Sequence, residues 1–397
     1  MRQQTIVITG VGIISALGTG VNNTLTALQN GISGIAPVRY LNTMHHHFPA
    51  GEVKYSEDEL RALLHIPKGQ ITTRTSLLGI AAAKEALETA RLVDFSRLRV
   101  AFISGTTVGG MEKTELHYLD FLDNDSKNEY IAVHDCGICT EMIADYFGGF
   151  SMVATTSTAC SSAANAIILG ANLIKEGRVD IAVAGGSECL TKFHLNGFNT
   201  LKILDSQPCR PFDRDRAGLN LGEGAAYVVL ESAESAVQRN VPAVCRLSGY
   251  ANACDAYHQT ASSPNGEGAY LAMQQSLDMA AILPQDIDYI NAHGTGTPNN
   301  DLSEGIAIMR LFGNNIPPVS STKPFTGHTT SAAGGVEAVI SILALQHCFI
   351  PANLNFENKS DELDFKPVTQ MVKINLKHVM SNSFGFGGND SALIFSK

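Results

Sequence analysis

The same α/β plan runs twice through the 397 residues of this chain. An apolar run, Val100 to Ser104, ends in the Gly/Thr loop Gly105 to Gly110, and Ile287 to Ala292 ends likewise in His293-Gly-Thr-Gly-Thr297. Thr158-Ala-Cys-Ser-Ser162 opens an Ala-rich helix that reaches Lys175, and Thr329-Thr-Ser-Ala-Ala333 opens a second small-residue helix. Asp180 to Gly186 and Val379 to Gly388 each read as a strand running into glycines. Recurrence of one supersecondary unit restricts the fold to two similar halves that differ by insertions. Leu77 to Thr89 has helical periodicity, and Ala225 to Leu230 reads as a further strand. The strand runs are continuously apolar, as expected of a sheet covered on both faces. The fold class is therefore α/β. No Pro- or Ser-rich linker separates the units, so residues 1–243 and 244–397 are expected to form two closely packed halves.

Composition removes several functional classes. Hydrophobic residues make up 44% of the chain, too many for disorder, and the net charge of −10 offers no sequence-wide field for nucleic acid or anionic lipid. The eight cysteines lie without paired spacing and read as reduced thiols of a cytoplasmic protein. The apolar run Thr5 to Leu17 is broken by Gly10 and Gly12, which suits a buried strand and turn better than a signal peptide. Val336 to Ile350 carries Glu337, Gln346 and His347 and is too short to span a bilayer. Neither nucleic acid nor membrane is expected as a partner. Gly10-Val-Gly12 lacks the third glycine of a dinucleotide fingerprint. Cys136-Gly-Ile-Cys139 has no second pair to complete a metal site, and His45-His46-His47 reads as a solvated loop. No metal is expected.

The strongest chemical signal is Cys160. It stands where a strand turns through small residues into a buried helix. A free thiol is only about 3% thiolate at pH 7, and helix-terminal N–H groups favour the thiolate. Most cysteines are packing residues, and the placement at this elbow is what sets Cys160 apart. His293 and His328 lie in glycine-flanked loops, His293-Gly-Thr-Gly-Thr-Pro298 and Lys323-Pro-Phe-Thr-Gly-His328. With an elbow cysteine they make a nucleophile and N–H donor set. Ser383-Phe-Gly-Phe-Gly-Gly-Asn389 alternates glycine with phenylalanine and suggests a mobile loop with an aromatic gate.

Together these motifs resemble the β-ketoacyl-[acyl-carrier-protein] synthases, specifically their ketoacyl synthase I/II branch. Arg210-Pro-Phe-Asp213 and Gly222-Glu-Gly224 also match, and the motifs run in family order from Ile6 to the last strand. The resemblance implies a thiolase-type fold, two similar halves in five αβαβα layers, and a homodimer. It implies decarboxylative Claisen condensation, with Cys160 carrying the acyl group and His293 and His328 donating to the malonyl thioester. The N–H groups of Cys160 and Phe386 would form the oxyanion hole, and Lys323, with Glu337, would organise His328. Thr295 and Thr297 would bind the phosphopantetheine arm, Phe386 would be the gate with Phe384 behind it, and Val108 would bound the acyl pocket. No cofactor is implied beyond the phosphopantetheine of the acyl carrier protein, which is the partner. Thiolases keep a second cysteine near the C-terminal glycines, and Gly385 to Asn389 has none.

Some motifs depart from the fatty-acid pattern. Thr297-Pro-Asn-Asn-Asp301 replaces a more usual Leu-Gly, and Leu219 to Glu223 and Ser161 to Asn165 look closer to ketosynthases of aryl-polyene or flexirubin-like clusters. Those often work with a cysteine-less partner, so a heterodimer is the alternative to the homodimer. A non-catalytic carrier-binding subunit is the alternative of another class, and intact Cys160, His293 and His328 argue against it. Because carrier proteins are acidic, a local basic rim is expected, with Lys202, Arg210 and Arg214 as its members.

Overall fold

Ten strands carry the architecture: β1 (Ile6–Ser15), β2 (Val100–Gly105), β3 (Met152–Thr156), β4 (Ile181–Glu188), β5 (Gly224–Ser232), β6 (Cys245–Cys254), β7 (Tyr289–Asn291), β8 (Val319–Ser320), β9 (His378–Gly385) and β10 (Asn389–Ser396). The structure is a computed structural model that describes residues 4–95 and 97–397. The strands lie in the order β3-β2-β4-β5-β1-β6-β10-β9-β7-β8, and Gly18–Thr19 adds a two-residue strand against β1. Read from its two edges the order is the same, each strand of the second half standing five numbers above its counterpart. The pairing senses repeat as well. β2 is parallel to β3 and β4, as β7 is to β8 and β9. β5 pairs antiparallel with β4 and β1, as β10 does with β9 and β6. The halves meet where Val7 and Ile8 of β1 pair with Arg246 and Cys245 of β6. The duplication read from the sequence is thus present strand for strand.

Continuous apolar runs arise because both sheet faces are covered. Along β2, Val100 and Phe102 enter one core and Ala101 and Ile103 another. The outer core of the first half packs under α1 (Arg74–Thr89), and that of the second under α6 (Glu267–Ala280) and α7 (Pro298–Phe312). Between the sheet faces lie α4 (Ser162–Lys175) and α8 (Ala333–His347), which touch each other and strands of both halves. Two outer helix layers, the two halves of the sheet and this central pair make the five layers. Two helices on the first half's surface, α2 (Met111–Asp123) and α3 (Cys136–Phe147), and the short α5 (Lys192–Thr200), complete the elements used below.

Of the central helices, α4 keeps Asn172 exposed, and α8 has no polar face to present. α8 is buried without interruption from Ala333 to Leu345, which explains an apolar stretch too short for a membrane. Among the described residues no helix is long and apolar enough to cross one. Their N-termini come together because small residues meet there. A Cβ added at Gly334 would stand 2.8 Å from the Ala164 nitrogen and 2.8 Å from Ser383 Oγ. This crossing seats the start of α4, with Cys160, against the segment carrying His328. A Gly334→Val variant is expected to lose stability by about 1–3 kcal/mol or more, read as a lowered thermal midpoint; an unchanged midpoint would show that the crossing tolerates larger side chains.

Both central helices are entered through a left-handed residue other than glycine: Ala159 at φ 52° before α4, and Thr330 at φ 47° before α8. Residues 1–3 lie outside the described residues; Ile6 to Ser15 is fully buried strand.

Candidate active site

Cys160 leaves the strained elbow at Ala159 and lies two residues before the first helical residue of α4, not within its first turn. It is 6% exposed. The elbow is laced internally: Thr158 N–H donates to Ser162 Oγ at 2.8 Å, and Asn165 Nδ2 donates to Thr158 Oγ1 at 2.8 Å. His328 brings Nε2 to 3.1 Å from Cys160 Sγ. Its backbone is pinned at both ends, with its N–H on Asn220 O at 2.8 Å and its carbonyl accepting from Gly222 N–H at 2.9 Å. The His293 ring stands 5.2 Å from that of His328, nearly perpendicular at 83°. The sulfur and one nitrogen from each ring lie within 4.8 Å of one another. Such a spacing also suits a soft metal ion, but the Lys323 ammonium beside His293 opposes a cation there.

Lys323 is 1% exposed, and its ammonium is shared among the Glu337 carboxylate, the His293 carbonyl and His293 Nδ1 at 3.2 Å. This corrects the expected partner: Lys323 hydrogen-bonds His293, and only its charge reaches His328. The consequence is a fixed tautomer. An ammonium has donors and no acceptor, so Nδ1 of His293 must accept and the ring proton sits on Nε2. Burial, then the Lys323 charge, holds both imidazoles well below their ordinary pKa, so both are neutral at pH 7. Burial lifts the Glu337 carboxyl to about 7, against the pull of Lys323.

The thiol also departs from expectation. Burial pushes Cys160 up to about 11, outweighing Lys323 and the Phe386 N–H that points at the sulfur. Desolvation wins over the helix terminus, so deprotonation falls to the neutral His328 in contact with Sγ. Alkylation of Cys160 in the substrate-free protein should therefore rise about tenfold per pH unit from pH 7 to 9, followed by mass mapping of its peptide; a plateau reached near pH 7 would contradict this.

A cavity of about 220 Å³ opens over Cys160, His293 and His328, and Thr295, Thr297, Phe384 and Phe386 line it. Thr295 and Thr297 hydroxyls pair at 2.8 Å. Phe386 is half-buried and stacks on Phe198 at 5.9 Å, whereas Phe384 is buried 6.0 Å from the His293 ring. The glycines after Phe386 have positive φ, 81° at Gly387 and 76° at Gly388, and Gly387 N–H holds Gln259 O at 2.8 Å. Lys323 and Glu337 act from behind the lining. Val108 is 2% exposed and packs in the first half's outer core, not on the cavity wall.

Two carboxylates that support His293 escaped the sequence reading. Glu304 accepts from His293 N–H at 2.9 Å, Gly294 N–H at 2.7 Å and Asn382 Nδ2 at 3.1 Å. Asp301 accepts from Thr295 N–H at 2.9 Å, Gly296 N–H at 3.1 Å and Phe212 N–H at 2.8 Å. Their signal was present, as acids three apart in the opening turns of the helix after the histidine loop. Glu223 of the matched Gly-Glu-Gly motif holds Arg74 and the N–H groups of Val53 and Leu190, a structural task. All eight cysteines are free; Cys139 is buried against Thr73 Oγ1, and His134 bonds Thr114, so the CxxC pair and its histidine are occupied separately.

The family model described as the β-ketoacyl synthase N-terminal domain matches residues 3–236, and the one described as the C-terminal domain matches residues 244–357. The 3-oxoacyl-[acyl-carrier-protein] synthase 2 of Staphylococcus aureus strain N315 is 33% identical, covering 100% of this chain and 99% of its own. Among solved structures, the ishigamide ketosynthase/chain length factor superposes with a TM-score of 0.93 at 31% identity, covering all of both chains. A ketosynthase from Xenorhabdus doucetiae, in complex with its chain length factor, superposes at 0.83 and 32% identity, covering 99% of this chain and 98% of its own. The order of motifs, the doubled five-layered fold and the Cys-His-His geometry agree with these matches, and the chain belongs to the β-ketoacyl synthase family.

Proposed function

We propose that the protein condenses an acyl group, received from acyl carrier protein, with malonyl carrier protein to give 3-oxoacyl carrier protein, with Cys160, His293 and His328 as the reacting set. The observation that carries this reading is the thiol–imidazole contact of 3.1 Å facing a second imidazole whose free N–H is fixed by Lys323. In loading, Sγ attacks the thioester carbonyl while His328 Nε2 relays the thiol proton to the departing pantetheine sulfur. The N–H groups of Cys160 and Phe386 receive the oxyanion. In condensation, His293 Nε2–H and His328, its ring proton now moved from Nδ1 to Nε2, donate to the malonyl thioester oxygen. The carbon–carbon bond to the carboxylate breaks, carbon dioxide leaves, and the electron pair remains as an enolate that those donors stabilise. Its carbon attacks the acyl group, and the carbon–sulfur bond breaks to release the Cys160 thiolate, which takes up one proton from water to restore the thiol. Thr295 and Thr297 hold the phosphopantetheine arm, and Phe386 moves as the gate with Phe384 behind it.

Residues 1–243 and 244–397 act as the two halves, and the protein works in the cytoplasm without a bound cofactor or metal. A second copy is proposed along β3, a half-exposed edge strand with Val153 40% exposed and packed against α3; elsewhere on this half α2 exposes Leu116, Leu119 and Leu122 at 66%, 76% and 61%. Lys202 and Arg210 are proposed to meet the carrier; Arg214 is exposed but spent on Asp215 at 3.0 Å. A second reading, elongation of conjugated chains with a cysteine-less partner, is favoured by the ketosynthase–chain length factor structures named above. The test is intact-mass detection of acyl adducts and malonyl-dependent product, with saturated and with conjugated acyl carrier proteins and Cys160→Ala as control. Loading of saturated primers alone gives the fatty-acid reading, and loading only of conjugated primers, or only with an added partner, gives the second. Absence of any Cys160-dependent adduct would overturn both.

A further inference from the structure

A third buried histidine stands near the site and takes no part in the steps above. His194 lies in the first turn of α5, capped by Thr191, and is 7% exposed. Four residues on, along the same helix face, is Phe198, which lines the catalytic cavity and stacks on the gate residue Phe386. The His194 ring meets Phe198 edge-on, with centroids 6.0 Å apart and planes at 86°. Aromatic contact therefore continues from the gate, past the cavity wall, to His194.

The imidazole is held on both sides. It donates to the Cys189 carbonyl, and its Nε2 lies 3.7 Å from Glu188. Glu188 is fully buried and also accepts from Thr106 Oγ1 at 2.6 Å, Thr107 N–H at 3.0 Å and the Thr107 hydroxyl. Thr106 and Thr107 lead directly into Val108. This shell is close to the chemistry: Glu188 acts electrostatically on Cys160, and His194 on His328. Yet neither His194, Glu188 nor Val108 borders the cavity, which stops at Phe198 and Cys160. An aliphatic side chain in this place would yield by changing rotamer. A ring tied to a carbonyl and beside a buried carboxylate does not, because moving it removes a partner from a group that has no water.

We propose that His194 is the floor of the acyl site, a specificity-determining residue that limits the chain held on Cys160, with Glu188 and Thr107 fixing its ring. The inference rests on the proposed condensing activity. Its test is the rate of Cys160 acylation by saturated acyl carrier proteins of about four to about sixteen carbons, each additional methylene that finds room being worth roughly a fourfold gain. His194→Ala and His194→Asn are expected to move the longest efficiently loaded chain up by about two carbons or more. The asparagine leaves Glu188 a polar neighbour and serves if the alanine variant does not fold. His194→Phe keeps the ring's bulk and is expected to give no lengthening. The same length profile in the asparagine variant as in the wild type, or a uniform change at all lengths, would overturn the floor. A wild-type protein that loads no chain on Cys160 would instead overturn the condensing reading, and this inference with it.

Discussion

Replacing His293 by alanine is expected to lower malonyl-dependent elongation by about 10²–10³-fold while acyl loading of Cys160 continues. The asymmetry follows from position. His328 touches the sulfur at 3.1 Å, whereas His293 touches no atom of the nucleophile and offers its Nε2–H to the cavity. One donor of an oxyanion site carries about 2.7–4 kcal/mol of transition-state stabilisation, and the enolate left by decarboxylation is where that donor acts. The measurement is single-turnover mass spectrometry: acyl adduct formation first, then its decay on adding malonyl carrier protein. Loss of both steps to the same degree would assign His293 to loading and refute the division between the rings.

Lys323→Met is expected to damage both the fold and the reaction. Lys323 and Glu337 are a buried pair, and removing one partner of such a pair typically costs about 3–5 kcal/mol. Glu337 can relieve part of this by taking a proton, since burial already holds its carboxyl near 7 and Lys323 is what pulls it down. Without the ammonium the carboxyl rises further and is neutral at pH 7, so the loss should be smallest in mild acid and grow as pH increases through neutrality. The chemical damage has another origin. With Nδ1 of His293 unoccupied, its proton is free to move there and leave Nε2 without one. The double variant Lys323→Met, Glu337→Gln should recover thermal stability but not elongation. Recovery of both would reduce Lys323 to a charge partner for Glu337 and remove its part in fixing the tautomer.

The sequence disclosed the parts of this site that are exceptional locally. Cys160 stood at an elbow of small residues, and His293 and His328 sat among glycines where packing histidines seldom do. Strand runs without alternation announced a sheet buried on both sides, and the repeated plan appears in the structure as identical pairing order. Less visible were relations that depend on how distant segments meet. Lys323 lies five residues from His328 in the chain, and that nearness suggested the wrong ring; the fold carries its ammonium to His293, thirty positions away. The thiol illustrates the same difficulty, because a helix terminus is written in the sequence and the desolvation that outweighs it is not. Asp301 and Glu304 look like ordinary acids of a helix start until their oxygens are seen to hold the histidine loop. His194 carries no motif at all, and its partners Glu188 and Thr107 lie in other segments.

Thr330 bears on how Ala159 should be understood. The two residues occupy matching places before the central helices, at φ 47° and 52°, and the residue after each is Ser331 in one copy and Cys160 in the other. Ser331 Oγ is buried and has no hydrogen-bond partner among the described residues, so the second bend performs no chemistry that the first performs. Backbone tension at Ala159 therefore belongs to the architecture of both halves and does not depend on the thiol. Both halves use the bend to send the chain from the sheet edge into the middle of the molecule, and one of them carries a thiol on it. The reactive copy and the silent one share the same corner, and what separates them is a sulfur atom and the histidine brought to its side.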